Sequence, residues 1–306
     1  MTAAPPNTLD RLRSGAHVAV IRLRSMGDCV LTTPALELLH RARPDLRIAV
    51  VAEPRFAGVF EKNPAIAVVL PPDYPAILRW RPSLSLNLHG GTRSMLLTLA
   101  SLARYRAGFA QHWASTIYNL KIPRAQQILG EERTVHTAEH LATAMYFLGV
   151  TPGDIPRAFL FAEPRPATRP YAVIHAASAA LYKTWRPDGF LAAADHIQRQ
   201  RGLEPIFIGS AGDDLTPFSG YRTVAGAPLS DLKSLLAGAS LFVGNDSGPA
   251  HMACALGVPV VVLYGRLEHS QIWAPWKPVA SAVLASPAGI TGITVAEVLA
   301  AIDGMP

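Results

Sequence analysis

Three short stretches concentrate side chains that can do chemistry, and each follows a run that reads as a β-strand. The first is GNDSGPAHMACALGVPVVVLYG, Gly244 to Gly265. Ser247 suits a helix N-cap, Pro249 the first helical turn, and Gly257 a left-handed close before Pro259 opens the next strand. A helix opening here aims the backbone amides of Ser247 and Gly248 outward from its positive end, where a diphosphate is favoured. Gly248 has no Cβ to hold the phosphate off. Asp246 sits poorly beside an anion, which leaves sugar hydroxyls or a nearby cation as its partners. The plainer alternative is an ordinary capped turn, with Asp246 and Ser247 capping and His251 satisfied locally.

The second stretch is HAASAALYKTWRPDGF, His175 to Phe190. A loop this rich in small residues, carrying Lys183 and ending at Arg186-Pro187 where a helix starts, can lay a cation over a phosphate. Lys183 would there offset charge growing on a leaving diphosphate. A solvated surface lysine is the competing account. The third stretch, His17 to Leu39, lacks both the GxGxxG of a dinucleotide site and the GxxxxGK of a nucleoside triphosphatase. It offers a single Gly27-Asp28 step instead. Asp28, the only carboxylate between Arg13 and Glu37, is either a general base for an acceptor hydroxyl or a helix cap. Pro34 allows the helix to start as late as Thr33, which would leave Asp28 in the loop.

Weaker signals accompany these. In GSAGDD, Gly209 to Asp214, Asp213 suits ribose hydroxyls or a capped turn. Arg93, Arg104, Arg106, Lys121 and Arg124, among Tyr105, Phe109 and Trp113, suit an acidic or phosphorylated acceptor, or else a solvated basic face. Ten histidines without ligand spacing, and two cysteines, Cys29 and Cys254, each in an apolar stretch, give no case for a metal centre.

The elements that must position these residues are short β-rich runs alternating with amphipathic helices. Strands are expected near His17 to Leu23, Arg47 to Ala52, Ala65 to Leu70 and Ser83 to Leu88, with a helix at Thr92 to Ala103. Phe161 to Pro170, FAEPRPATRP, interrupts the alternation and reads as a linker. It divides the chain into residues 1–162 and 163–306. Beyond it strands are expected at Tyr171 to His175, Pro205 to Gly209, Tyr221 to Ala225, Leu241 to Val243 and Pro259 to Leu263, with a helix at Pro187 to Gln200. The fold class is α/β: two Rossmann-like doubly wound domains facing a cleft. The final helix, Thr294 to Ile302, could belong to either half.

Half of the 306 residues are hydrophobic, ample for two cores, which excludes disorder. Lysine and arginine outnumber aspartate and glutamate by 28 to 22, so an anionic partner is expected. The start, MTAAPPNTLDRLRSG, lacks the apolar core of a signal peptide, and no apolar run is long enough to span a bilayer. A cytoplasmic protein is expected.

Taken together, Met26-Gly27-Asp28 before TTPAL, LNLHGGTRS, Lys183-Thr184-Trp185 before a proline, and NDSGPAHMACALGVPVVVLYG resemble glycosyltransferase family nine, the ADP-heptose:lipopolysaccharide heptosyltransferases. The resemblance implies two facing Rossmann-like domains, acceptor held by the first and nucleotide sugar by the second. It implies a metal-independent, inverting transfer without a covalent intermediate or cofactor, with Asp28 and Lys183 catalytic. Ser178, Lys183, Asp213, Asp246, Ser247, Gly248 and His251 would bind the donor, an ADP-sugar. Arg93, Arg104 and Arg106 would bind an anionic glycolipid acceptor at the inner membrane face, with peripheral membrane contact and no role for nucleic acid. The family's usual His-Pro-Gly is His175-Ala176-Ala177 here, its Pro-Thr after Tyr264-Gly265 is Arg266-Leu267, and its glutamate is shortened to Asp213. A nucleotide-sugar epimerase and a non-catalytic nucleotide-sugar binder are the competing functions.

Overall fold

A computed structural model describes residues 7–113, 115–178 and 180–306. Residues 1–6 of the N-terminal segment and Ala179 of the small-residue loop lie outside the described residues. The chain divides into two compact units, Met1–Ala158 and Phe159–Pro306. That division falls slightly upstream of the one expected at 162/163. The proline-rich stretch taken for a linker belongs to the second unit, because the Arg165 amide donates to Ser234 O at 2.9 Å and that of Leu160 to Ala255 O at 3.4 Å.

The first unit holds strands β1 (His17–Ile21), β2 (Arg47–Val51), β3 (Val68–Leu70), β4 (Leu84–Asn87), β5 (Tyr105–Phe109) and β6 (Leu120–Ile122). Its helices are α1 (Met26–Ala42), α2 (Pro54–Ala57), α3 (Tyr74–Trp80), α4 (Thr92–Ala100), α5 (Ala125–Leu129) and α6 (Thr137–Leu148). Among the described residues the strands form one parallel sheet in the order β3-β2-β1-β4-β5-β6. Side chains alternate across a strand, so β1 turns Ala19 and Ile21 to one face, where α3 and α4 bury Ile77 and Leu97 on them. α1 and α6 pack together, on the opposite face that right-handed crossovers require.

The second unit repeats this plan with β7 (Tyr171–His175), β8 (Glu204–Gly209), β9 (Arg222–Ala225), β10 (Leu241–Asn245), β11 (Val260–Tyr264) and β12 (Ser281–Ala285). Its helices are α7 (Pro187–Arg201), α8 (Leu229–Ala237), α9 (Gly248–Ala255), α10 (Leu267–Trp273) and α11 (Val295–Asp303). The sheet order is β12-β11-β10-β7-β8-β9, the same topology as the first. α11 packs on α7, placing the final helix in this unit through Val298 and Ile302.

In each sheet the winding reverses between the first strand and the fourth: at β1/β4 and at β7/β10. Crevices at the carboxyl edge of such switch points are where this architecture binds ligands. The expected strands and helices are present with shifted ends. The helix expected to run to Ala103 stops at Ala100, where Leu102 turns left-handed at φ 51°. β5, β6 and β12 were not expected: β5 carries Arg and Gly, β6 has three residues, and β12 is an edge strand whose burial never becomes complete.

Candidate active site

At the β7/β10 switch point a cavity of about 530 Å³ is lined by His175, Ser178, Tyr182, Lys183, Asp213, Asp246, Ser247 and Gly248, among others. The sequence folds this way locally for identifiable reasons. Ser247 is the N-cap of α9, with extended backbone, and Gly248-Pro249 begin the helix. Gly257 follows at φ +86°. The Ser247 hydroxyl makes no capping bond. It is buried without a partner, as are the Ser178 hydroxyl and His175 Nδ1. Buried polar groups are normally paired, so three orphans in one cavity mark a place prepared for a polar ligand.

Lys183 Nζ lies 2.5 Å from Asp246 Oδ2. Asp246, open to sugar hydroxyls or a nearby cation, faces the Lys183 ammonium. The lysine is held there by a clamp between distant residues. Asn245, fully buried at the end of β10, accepts from the Trp185 amide at 3.1 Å and donates to Ala176 O at 2.8 Å. Trp185 is itself buried and donates through Nε1 to Ile293 O at 2.9 Å. At Gly265 a Cβ would fall 2.1 Å from Tyr182 O, so only glycine lets the strand end approach the lysine loop. Asp213 accepts from the Ser210 amide at 2.6 Å, so one carboxylate oxygen closes its own turn while the residue lines the cavity. Burial lowers the His175 pKa to about 4, with Asp213 opposing, so the ring is neutral near pH 7. His251 lies a turn further along α9, buried, and is not among the lining residues.

At the β1/β4 switch point of the first unit a second constellation forms. The late helix start is corrected here: α1 begins at Met26 and runs through Pro34. Pro34 cannot donate to the Val30 carbonyl, and the Thr33 hydroxyl does so instead at 2.7 Å. Asp28 therefore sits in the first helical turn, in a capping box: its Oδ2 accepts from the Ser25 amide at 3.3 Å and hydroxyl at 3.1 Å. Its Oδ1 faces Arg22 at 3.8 Å. Arg22 is buried and donates through Nε to Thr32 Oγ1 at 3.1 Å; burial lowers its pKa while Asp28 raises it. His89, just after β4, has a pKa lowered by burial and by Arg22 and Arg24, with Asp28 opposing. His140 is pushed to about 4, first by burial and then by Arg22 and His112. Asp28 thus both caps a helix and lies beside the buried Arg22, whose charge is felt by His89 and His140.

Of the expected acceptor arginines, Arg93 opens α4 close behind β4 and donates to Pro72 O at 3.0 Å. Arg104 and Arg106 are corrected: they sit at the amino end of β5, the far edge of the sheet from Arg22, Asp28 and His89. Arg106 donates to Ile117 O and Ala103 O, which fixes its guanidinium to the backbone, and Arg104 lies over the Tyr105 ring. Arg22, His89, His175, Trp185 and Asn245 were given no role from sequence. His89 lay within the LNLHGGTRS segment, and His175 and Asn245 at strand ends, which is the signal that could have found them. Among the described residues no group of three or more His, Cys, Asp or Glu is placed to hold a metal ion.

The profile of glycosyltransferase family 9 (heptosyltransferase) matches residues 83–289. Lipopolysaccharide heptosyltransferase 3 of Escherichia coli K12 is 33% identical over 119 residues, 35% of this chain and 33% of that protein, so the match spans about a third of that relative. Lipopolysaccharide heptosyltransferase 1 of Pseudomonas aeruginosa is 29% identical over 287 residues, covering 81% of this chain and 78% of that one. An E. coli heptosyltransferase solved with ADP superposes with TM-score 0.77 at 19% identity, over 95% of this chain and all of that one. That likeness establishes the shared fold.

Proposed function

The chain belongs to glycosyltransferase family 9, the heptosyltransferases, and on that footing we propose that it moves a heptose, or a closely related sugar, from an ADP-sugar to a lipopolysaccharide-core acceptor. The observation that carries this is the cavity at the mouth of α9, where the Ser178 and Ser247 hydroxyls and His175 Nδ1 are buried without partners beside Lys183. A diphosphate supplies acceptors for both hydroxyls and for the amides of Ser247 and Gly248. Lys183 then turns from Asp246 toward the phosphates and balances the charge that grows as ADP leaves. Asp246, released, accepts from hydroxyls of the transferred sugar.

Asp28 takes the proton of the acceptor hydroxyl as its oxygen bonds to the anomeric carbon. The bond to the diphosphate oxygen breaks on the opposite side, so configuration inverts in one displacement. Arg22 steadies the Asp28 carboxylate, and Arg93 meets an anionic group of the acceptor. On this account a lysine, rather than a metal ion, faces the leaving group, and the acceptor is met at the cytoplasmic face of the inner membrane. That an E. coli relative of the fold was solved with ADP supports the choice of nucleotide.

The test is to incubate purified protein with ADP-heptose and a lipopolysaccharide inner-core acceptor and to follow ADP release and acceptor mass together. The expected result is one heptose added per ADP released. Donor epimerised without acceptor, or bound donor with no product on any core acceptor, would instead support the two competing functions.

A further inference from the structure

Charge is unevenly spread along this chain. Between Asp73 and Glu131 there are seven lysines and arginines and no acidic residue, although the whole chain carries only +6. That stretch folds as α3, β4, α4, β5, β6 and α5, so the basic excess is confined to one part of the first unit. The acid at its border, Asp73, is engaged as the N-cap of α3, accepting from the Ala76 amide at 2.7 Å.

The outward residues of the same two helices are apolar. On α4, Arg93, Leu96 and Leu99 form the exposed stripe, with Leu96 and Leu99 48% and 47% exposed. Beyond the helix end Leu102 is 77% exposed. On α3, which packs beside α4, Tyr74 and Leu78 are 48% and 41% exposed at four-residue spacing. Leu102 is the telling residue. Its φ of 51° is the left-handed conformation that glycine adopts at helix ends. A leucine there strains the backbone and also shows apolar surface to water, so neither local folding nor core packing accounts for it.

Single exposed leucines are ordinary. Several on adjacent helices, flanked by exposed Arg79, Arg81 and Arg104 with no acid in the stretch, have the composition that binds a lipid interface. Leucines enter the boundary between headgroups and chains, and guanidiniums pair with lipid phosphates. Nucleic acid would satisfy the arginines and leave the leucines uncovered. We propose that the outer face of α3 and α4, centred on Leu96, Leu99 and Leu102, docks this protein on an anionic lipid leaflet. The proposal accords with a glycolipid acceptor, and apart from Arg93, which is left unaltered in the test, it stands on different residues from the transfer reaction.

The test is sedimentation with phosphatidylethanolamine vesicles with and without phosphatidylglycerol. Wild-type protein should bind only the anionic vesicles, and less as salt is raised. Leu96→Gln/Leu99→Gln/Leu102→Gln should weaken binding by roughly tenfold or more, and each of Arg79→Gln, Arg81→Gln and Arg104→Gln by about fivefold. Leu102→Gly relieves the left-handed strain, so its melting temperature should rise while vesicle binding falls, a pair of signs no folding defect produces. Transfer to a soluble, delipidated acceptor should be unchanged in all of them. Failure of the wild type to bind anionic vesicles, or unchanged binding by the leucine triple variant, would overturn the proposal. So would a dimer, seen by light scattering, that the leucine variant dissolves while vesicles go unbound. Vesicle binding that follows this pattern in a protein that transfers no sugar upholds the docking face and refutes the transferase function alone.

Discussion

Replacing Lys183 should separate the two jobs of the Lys183–Asp246 pair. The ammonium and carboxylate are 2.5 Å apart, with side chains 23% and 8% exposed. At an effective dielectric constant near 20 their attraction is roughly 6–7 kcal/mol, much of which offsets the cost of removing both charges from water. Lys183→Met leaves Asp246 buried without its cation, which should cost about 3 kcal/mol. In a unit of this size that is a fall of roughly 6–12 °C in the melting temperature. Asp246→Asn costs less, about 1 kcal/mol, because the lysine can extend toward solvent. The double variant should be no worse than Lys183→Met alone, giving a coupling of about 1 kcal/mol in place of additivity. Calorimetric titration with ADP should separate the two variants: Lys183→Met weakens binding at least about tenfold, whereas Asp246→Asn strengthens it by removing a like charge from the diphosphate site. The assays are scanning calorimetry and ADP titration on all four proteins. Lys183→Met melting within about 2 °C of wild type, or stability effects that simply add, would refute the electrostatic reasoning.

Asp28→Asn should leave ADP affinity unchanged and lower turnover by about 10²- to 10⁴-fold, while Ser25→Ala costs about 1 kcal/mol of stability through the lost cap and spares turnover; equal turnover in Asp28→Asn and wild type removes the base. Asn245→Ala strands the Ala176 carbonyl and the Trp185 amide and should cost about 3 kcal/mol, with a raised KM for donor because the lysine loop loosens; an unchanged KM would mean the clamp does not position Lys183. His175, held at about 4 by burial against an ordinary 6.5, stays neutral in the folded protein while the unfolded chain takes up a proton. Its contribution, about 3 kcal/mol, is therefore complete above pH 6.5 and lost as pH falls toward 4. Denaturant titrations across that range should show the slope, and His175→Gln should flatten it; a slope identical in the variant would show that another group is responsible.

What could be read along the chain was local. Ser247, Pro249 and Gly257 announce the start and end of α9 because capping depends on a few neighbouring residues, and both ends fall as expected. The β-α alternation gave both sheets because strands buried on two faces are continuous apolar runs, as VVVLY of β11 is. Pairing across the sheet was not legible. Lys183 and Asp246 are 63 residues apart, and the Asn245–Trp185 bond spans 60; only the β7/β10 adjacency brings them together. The start of α1 was left open because proline at position 34 signals a helix start, and that signal fails when a threonine hydroxyl replaces the missing donor. For Arg104 and Arg106 the choice between an acceptor site and a solvated face stayed open, since basic character alone does not say which edge of the sheet a residue occupies.

The central claim is that a sugar diphosphate seats at the mouth of α9. A crystal structure with ADP tests it most directly. The phosphates should lie within hydrogen-bond distance of the Ser247 amide and hydroxyl, the Gly248 amide and Lys183 Nζ, with the Ser178 hydroxyl newly paired. ADP bound elsewhere, or bound here with the Ser178 and Ser247 hydroxyls still unpartnered, would contradict the account.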